Sequence, residues 1–456
     1  MEKFFRLKEN NTTVGTEVLA GITTFFAMAY ILFVNPQILS ESGLPYNGVY
    51  IATILASVIG TLIMGLFANI PYAQAPGMGL NAFFTYTVVL VGGFTPYEAL
   101  AMVFICGLLN MFMTVTNIRK HLIKAIPETL QLAISAGIGL FIAYIGLLNI
   151  KFIEFGAVPS ITNFKDPSIV LAVIGLIITI VLMLKKVKGA ILIGILATTV
   201  IGIPMGVVQL GGAAQSTVGF SVIFKEFGEI FGKALGQEGL VSLFTNYNLT
   251  KILPIIFAFS LTDTFDTIGT FIGTGRRSGI FSQEDQDSLE SGSGMKSKLE
   301  RGLFADMIAT TAGAVLGTSN VTTFVESSAG IGAGGRTGLT SVVTAACFLA
   351  SIILAPVVSL IPAATTAPAL IVVGILMSAS FGDIEWTNFE KAVPAFFTVI
   401  MTVLTYSISN GIACGFIAYI IVEVSMKRAS KVHPIVYGSA LLFILNFVIT
   451  AMSLIS

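Results

Sequence analysis

Three carboxylates, Asp263, Asp266 and Glu326, stand inside or at the edge of apolar stretches long enough to enter a membrane. A charge at bilayer depth costs roughly 2.5–3.5 kcal/mol on insertion scales, so it persists only where it faces a cavity, a partner or a substrate. The flanking sequences, LTDTFDTIGT and TTFVESSAG, are rich in Gly, Ser and Thr, as helices broken around a transport site are. Asp263 and Asp266 are three residues apart, which puts both on roughly one helical face. Asn81, in PGMGLNAFF, adds a donor and an acceptor. Carboxylates and an amide, with no Lys or Arg among them, suit a neutral donor-rich ligand or a cation rather than an anion. A purine base is such a ligand: its N–H groups pair with a carboxylate, and its faces are apolar. Phe83, Phe84 and Phe324 are the candidate stacking rings.

Each of these residues also has a structural reading. Glu326 is placed to cap a helix, Asp263 to take hydroxyl hydrogen bonds, and Asn81 to satisfy broken backbone. Any one of the rings is ordinary packing. Only one of two close carboxylates need meet a substrate, and Asp266 is read as the supporting one. Glu17 and Asp306 fall near segment ends and read as capping or interfacial groups. Glu423, near the end of its span, reads as a snorkelling side chain.

The elements that hold these residues follow from composition. The chain has 456 residues, 55% hydrophobic and 11% charged, against about 25% charge in a soluble domain. An all-α polytopic membrane protein is expected. Basic and acidic residues balance at 24 each with no long run of either, so no nucleic-acid partner is expected. Cys106, Cys347 and Cys414 are scattered singly, and His121 and His433 are far apart, so neither a disulfide nor a metal site is expected. The first apolar run follows a charged start and ends in Asn35-Pro36-Gln37, which does not read as a cleavable signal peptide.

A helical span takes about 20 apolar residues. Candidates are 18–34, 49–69, 97–116, 129–149, 168–184, 189–209, 252–274, 302–318, 337–361, 366–380, 392–408, 411–426 and 433–455. Two shorter Gly-rich stretches, 77–92 and 327–335, each follow an extended or irregular tract and read as half-helices. With the N-terminus in the cytoplasm and the half-helices counted as crossings, only Lys151, Lys165, Lys225, Lys233 and Lys251 of the 24 Lys and Arg fall on the far side. That gives 14 crossings through residue 426, leaving 433–455 as a further span or a re-entrant hairpin. Within 210–251, FKEFGEIFGKAL reads as an amphipathic interfacial helix, and 276–301 as a solvated linker. An offset of 251 residues aligns NIPYAQAPGMG (69–79) with NVTTFVESSAG (320–330), setting Ala75 against Glu326. The half-helices are the third and tenth crossings, and an odd spacing of seven makes a 7+7 repeat inverted in topology. Glu326, at the start of the second half-helix, is placed to offset the positive end of its dipole.

AGITTFFAMAYILFVNPQIL (20–39), APGMGLNAFFTYTVV (75–89), AIPETLQLAISAGIGLFIAYIGL (125–147), LTDTFDTIGT (261–270) and TTFVESSAGIGAGGRTGLTSV (322–342) together resemble the AzgA-type purine permeases. These are a branch of the nucleobase–cation symporters that shares the bacterial uracil permease fold. The resemblance covers most of residues 1–410. It implies 14 transmembrane segments in a 7+7 inverted repeat, with a core domain from 1–128 and 252–362 and a gate domain from 129–251 and 363–456. It also implies import of purine bases with protons as the core moves against the gate. Guanine and hypoxanthine are the expected cargo and adenine the runner-up. Carried over by residue, base binding falls on Asn81, Asp263 and Glu326, with Asp266 in support; Phe324 is added from the sequence itself as the stacking ring. A buried carboxylate that can take up a proton puts the coupling on Glu326 or Asp263, with Asp266 again in support. The expected partners are a purine base and the lipid bilayer, with a homodimer as an allowed assembly. No cofactor beyond the proton is expected. The expected location is the cell membrane, multi-pass, with the N-terminus cytoplasmic. An anion transporter of the same fold would carry a small or basic residue in place of Glu326. An enzyme would need a metal cluster or a nucleophile–base set, and a channel has no need of substrate-shaped acids.

Overall fold

Backbone groups inside a membrane have no water to bond, so the chain must satisfy them internally, and helices do so within each segment. The computed structural model describes residues 2–116, 125–155, 158–162, 164–208, 219–275, 279–282, 285, 295, 297–358 and 361–453. Among the described residues, eight helices are long and apolar enough to cross a membrane. The first span, Val14–Ser40, is two helices, α1 (Val14–Met28) and α2 (Ile31–Ser40), broken at Ala29–Tyr30. Within α2, Pro36 removes the N–H that would bond the Leu32 carbonyl. α3 (Tyr46–Ile63) continues through a wider coil to Asn69, which turns the chain with φ 52°.

Next come strand β1 (Gln74–Pro76) and helix α4 (Met78–Ala82), which widens into a coil reaching Val91. α5 (Pro96–Val115), α6 (Glu128–Asn149), the hairpin β2 (Ile153–Phe155) and β3 (Pro159–Ile161), α7 (Pro167–Leu184) and α8 (Ala190–Gly202) follow. α9 (Phe220–Ile230) precedes the long α10 (Leu249–Thr270) and α11 (Lys298–Leu316). β4 (Val321–Thr323) and the short α12 (Ser327–Gly332) mirror β1 and α4. The chain ends with α13 (Gly338–Ala350), α14 (Ala363–Met377), α15 (Phe389–Leu404), α16 (Ile408–Ser425) and α17 (Pro434–Ser453).

The two half-helices thus each follow a strand, and the strands pair with one another. β1 and β4 are antiparallel and fully buried, with Gln74 opposite Thr323, Ala75 opposite Thr322 and Pro76 opposite Val321. Strand backbone that finds no ladder partner is met by a threonine on a neighbouring helix. Thr61 of α3 accepts from Gln74 N (2.9 Å) and donates to Gln74 O (3.1 Å). Thr310 of α11 accepts from Val321 N (3.2 Å) and donates to Val321 O (2.9 Å). Below these lies Asp306, whose Oδ1 takes hydrogen bonds from Gln74 Nε2 (2.9 Å), Thr267 Oγ1 (2.8 Å) and Thr323 Oγ1 (3.0 Å). It ties β1, β4 and α10 together.

Several expectations change. The offset of 251 set Ala75 against Glu326, whereas Ala75 and Thr322 hold like places, each in the middle of its strand. A single residue, Gly77, separates β1 from α4, but Phe324, Val325 and Glu326 separate β4 from α12, so the correspondence slips at that corner. Asp306 lies in the third turn of α11, not near a segment end, because that helix starts at Lys298. Residues 434–453 are one continuous helix rather than a re-entrant hairpin, with Phe443 against Phe257 of α10 (6.4 Å between ring centroids). Glu17 does cap: its carboxylate accepts from the backbone N–H groups of Arg336, Thr337 and Thr340 at the start of α13. Glu423 pairs with Arg428 at 3.0 Å. α9 buries Ile223 and Ile230, exposes Phe220, Val222 and Phe224 along with Lys225 and Glu229, and ends at Ile230, inside the stretch expected to form one interfacial helix. Most of 276–301, and 209–218, lie outside the described residues.

Candidate functional site

The corner between β4 and α12 faces a cavity of about 480 Å³, within the range of small-molecule sites. It is lined by Tyr30 at the break in the first span, Met78 of α4, and Phe265, Asp266, Gly269 and Thr270 of α10. The corner itself contributes Thr322–Glu326 and Ser328, and Ser135 of α6 with Val373, Leu376 and Met377 of α14 close the other side. The polar lining is two carboxylates and a set of hydroxyls, with no Lys, Arg or His among the lining residues.

The sequence-derived residues separate into two layers. Glu326, Phe324 and Asp266 line the cavity. Asp263 and Asn81 do not, and both are fully buried behind it. Asp263 turns toward α5 and α11, where Asn110 Nδ2 donates to its Oδ2 (3.3 Å) and the Thr310 hydroxyl oxygen lies 3.4 Å from the same atom. Ser260 donates to the side-chain amide oxygen, Oδ1, of the same Asn110. Asn81 donates to Asn35 Oδ1 (3.1 Å), and Asn35 donates in turn to Thr53 and Thr318. Asp266, read as the support, is thus the α10 aspartate at the cavity, with the Thr322 hydroxyl beside it. Phe83 and Phe84 are fully buried, Phe83 packed on Phe259 at 4.6 Å, so of the three candidate rings Phe324 alone lines the cavity.

Glu326 occupies the position just before α12, yet its side chain makes no capping hydrogen bond. It accepts instead from the Tyr30 hydroxyl, 2.6 Å from Oε1. Tyr30 was not among the expected site residues. Its signal was present in the sequence: a phenol in the middle of AMAYILFV, where a hydroxyl at bilayer depth needs a partner. Phe265, which also lines the cavity, was masked by the aspartates on either side of it.

A strand-paired core crossed by broken helices, with its cavity at their corner, is the architecture of a membrane permease. The transmembrane domain of a cyanobacterium bicarbonate transporter, BicA, matches with a TM-score of 0.62 at 17% identity, over 88% of this chain and 96% of that one. A likeness at that identity concerns the fold. The permease-family model (Xan_ur_permease) matches residues 15–414, and the chain belongs to that family. The guanine/hypoxanthine permease PbuO of Bacillus subtilis (strain 168) is 40% identical over 457 residues, covering 98% of this chain and 100% of its own. The adenine permease AdeP of Escherichia coli (strain K12) is 36% identical over 450 residues, covering 98% and 96%. The relatives are permeases rather than enzymes, and the chain is a multi-pass membrane protein.

Proposed function

We propose that the protein is a secondary active transporter that imports purine nucleobases, guanine and hypoxanthine first, by proton symport. The observation that carries this is the cavity itself: two carboxylates, Glu326 and Asp266, beside the rings of Phe324 and Phe265, with no cationic side chain in the lining. An anion meets repulsion there. A planar base meets acceptors at its N–H edge and aromatic surface at its face. Guanine offers adjacent N–H donors to a carboxylate, and hypoxanthine keeps the ring N1–H of that pair. Adenine has an acceptor at the same ring position, so it needs a protonated carboxyl to match, which keeps it as the second reading. The names of the 40% and 36% identical relatives point to the same two kinds of cargo.

The mechanism proposed is alternating access between a core (1–128 and 252–362) and a gate (129–251 and 363–456), in 14 spans of a 7+7 inverted repeat. Two features support it. The strands with their threonine clamps, Thr61 on Gln74 and Thr310 on Val321, form two like-built units that pair about their centre. The cavity takes Tyr30, Met78, Asp266 and Glu326 from the core halves and Ser135, Val373 and Met377 from the gate halves. Glu326 and Asp266 touch the cavity and so can trade protons with whatever fills it, while Asp263 supports them from behind. No cofactor other than the proton is invoked. The distribution of Lys and Arg supports a cell-membrane protein with a cytoplasmic N-terminus.

The test is uptake of radiolabelled guanine, hypoxanthine, adenine and uracil in cells lacking their own base permeases, with and without a protonophore. Guanine and hypoxanthine should accumulate, the protonophore should stop accumulation, and Glu326→Gln should abolish it. Uptake that ignores the protonophore would remove the symport reading, and preference for uracil would remove the purine reading.

A further inference from the structure

We propose that Tyr30 is the positioning residue of this site: its buried hydroxyl holds the Glu326 carboxylate in the orientation from which a base is read. The inference rests on the cavity being the base site. Glu326 lies in a corner where its side chain makes no hydrogen bond to the N–H groups of α12, and its own backbone N–H is the support its segment gives it. A glutamate left so samples many rotamers, and ordering it on binding weakens affinity. Among the described residues the Tyr30 hydroxyl, 2.6 Å from Oε1, makes the side-chain hydrogen bond that removes this freedom.

The phenol is itself well mounted. Its residue is 1% exposed. It sits at the break between α1 and α2, where its carbonyl accepts from Phe33 N (3.0 Å) and Val34 N (3.1 Å). That break turns one side chain of the first span into the corner formed by the distant β4–α12 segment. The ring centroid lies 6.4 Å from that of Phe324 with the planes at 45°, so one residue braces both the carboxylate and the stacking ring. With one lone pair of Oε1 taken by the phenol, the carboxylate's other lone pairs are the ones to meet an N–H of the base. A hydroxyl donor to a carboxylate belongs to the stronger class of hydrogen bond, so its loss should be felt at the ligand.

The experiment is equilibrium binding of labelled hypoxanthine to the purified protein, comparing the parent with Tyr30→Phe, Glu326→Gln and the double variant. Tyr30→Phe removes one oxygen and keeps the ring, and a melting midpoint near the parent's without base checks that the fold is intact. Binding should weaken roughly tenfold in Tyr30→Phe. Uptake at saturating base should hold, so that KM rises while kcat stays. Added to Glu326→Gln, the same change should cost less than about twofold, because the partner is already altered. Unchanged binding in Tyr30→Phe, or the same tenfold loss in both backgrounds, overturns the inference. If Glu326→Gln itself binds hypoxanthine normally, the cavity reading falls and this inference with it. If Glu326→Gln is impaired while Tyr30→Phe is normal, only the role of Tyr30 falls.

Discussion

Asp263 and Asp266 stand about 60° apart around the helix axis and about 4.5 Å apart along it, as a spacing of three requires. That angle is small enough to share a face on paper and large enough to send two short side chains to different neighbours. In α10 it does the second: Asp266 meets the cavity, and Asp263 meets Asn110 and Thr310. Cost alone could not separate them, because a carboxylate at this depth is expensive whichever way it points. The two are expected to differ on substitution. Asp266→Asn should weaken hypoxanthine binding roughly tenfold, the scale of a lost charged hydrogen bond. Asp263→Asn should change it by less than about threefold while lowering the melting midpoint, since its partners are structural. Parallel binding and thermal unfolding measurements on the two variants check this.

At the scale of elements, the unusual feature is a pair of three-residue strands in a helical membrane protein. Strands so short leave backbone groups beyond the reach of their ladder, and in hydrocarbon each such group costs free energy comparable to a lost hydrogen bond. Thr61 and Thr310 each supply one donor and one acceptor to one strand residue, which is what a missing ladder neighbour would have supplied. Thr310→Val keeps the shape and leaves the N–H and C=O of Val321 unmet. It should cost about 1–3 kcal/mol and lower the melting midpoint in detergent, whereas Thr310→Ser should stay near the parent. Helices elsewhere approach closely through small residues: a side chain added at Gly107 would collide with Thr311 Oγ1, and one at Gly411 with Thr402 Oγ1.

At the scale of the molecule, a second polar cluster lies away from the cavity, where the coil after α4 meets α6 and the turn before α16. Tyr86 donates to Glu41 Oε2 (2.9 Å), Asn149 donates to Tyr86 (3.2 Å), and Thr87 donates to the Tyr406 carbonyl (2.8 Å). The Tyr406 ring packs edge-on against Tyr86 (5.8 Å) and Phe141 (5.3 Å). On the proposed division this cluster joins core to gate at the end opposite the N-terminus, and its expected role is to hold that end closed. Tyr86→Phe combined with Asn149→Ala should loosen it. A cysteine at Thr87, in a background without Cys106, Cys347 and Cys414, should then react faster with a membrane-impermeant thiol reagent added outside; equal rates would remove this closing role.

Much of this was legible in the chain. Low charge and the length of the apolar runs specify a polytopic helical protein, because burial in lipid acts on every residue of a span. The Gly-rich tracts after 74–76 and 321–323 mark the half-helices, and Glu326, Asp266 and Phe324 could be singled out because charge and Gly-rich breaks are local properties. Direction was not legible. That Asp263 turns inward, that Asn81 bonds Asn35, that Asp306 ties two strands to α10, and that Tyr30 reaches Glu326 across 296 residues all depend on which helices lie beside one another. A sequence lists the costs of placing polar groups in a membrane. Only the packed molecule decides which partner meets each of them, since a hydrogen bond forms between neighbours in space.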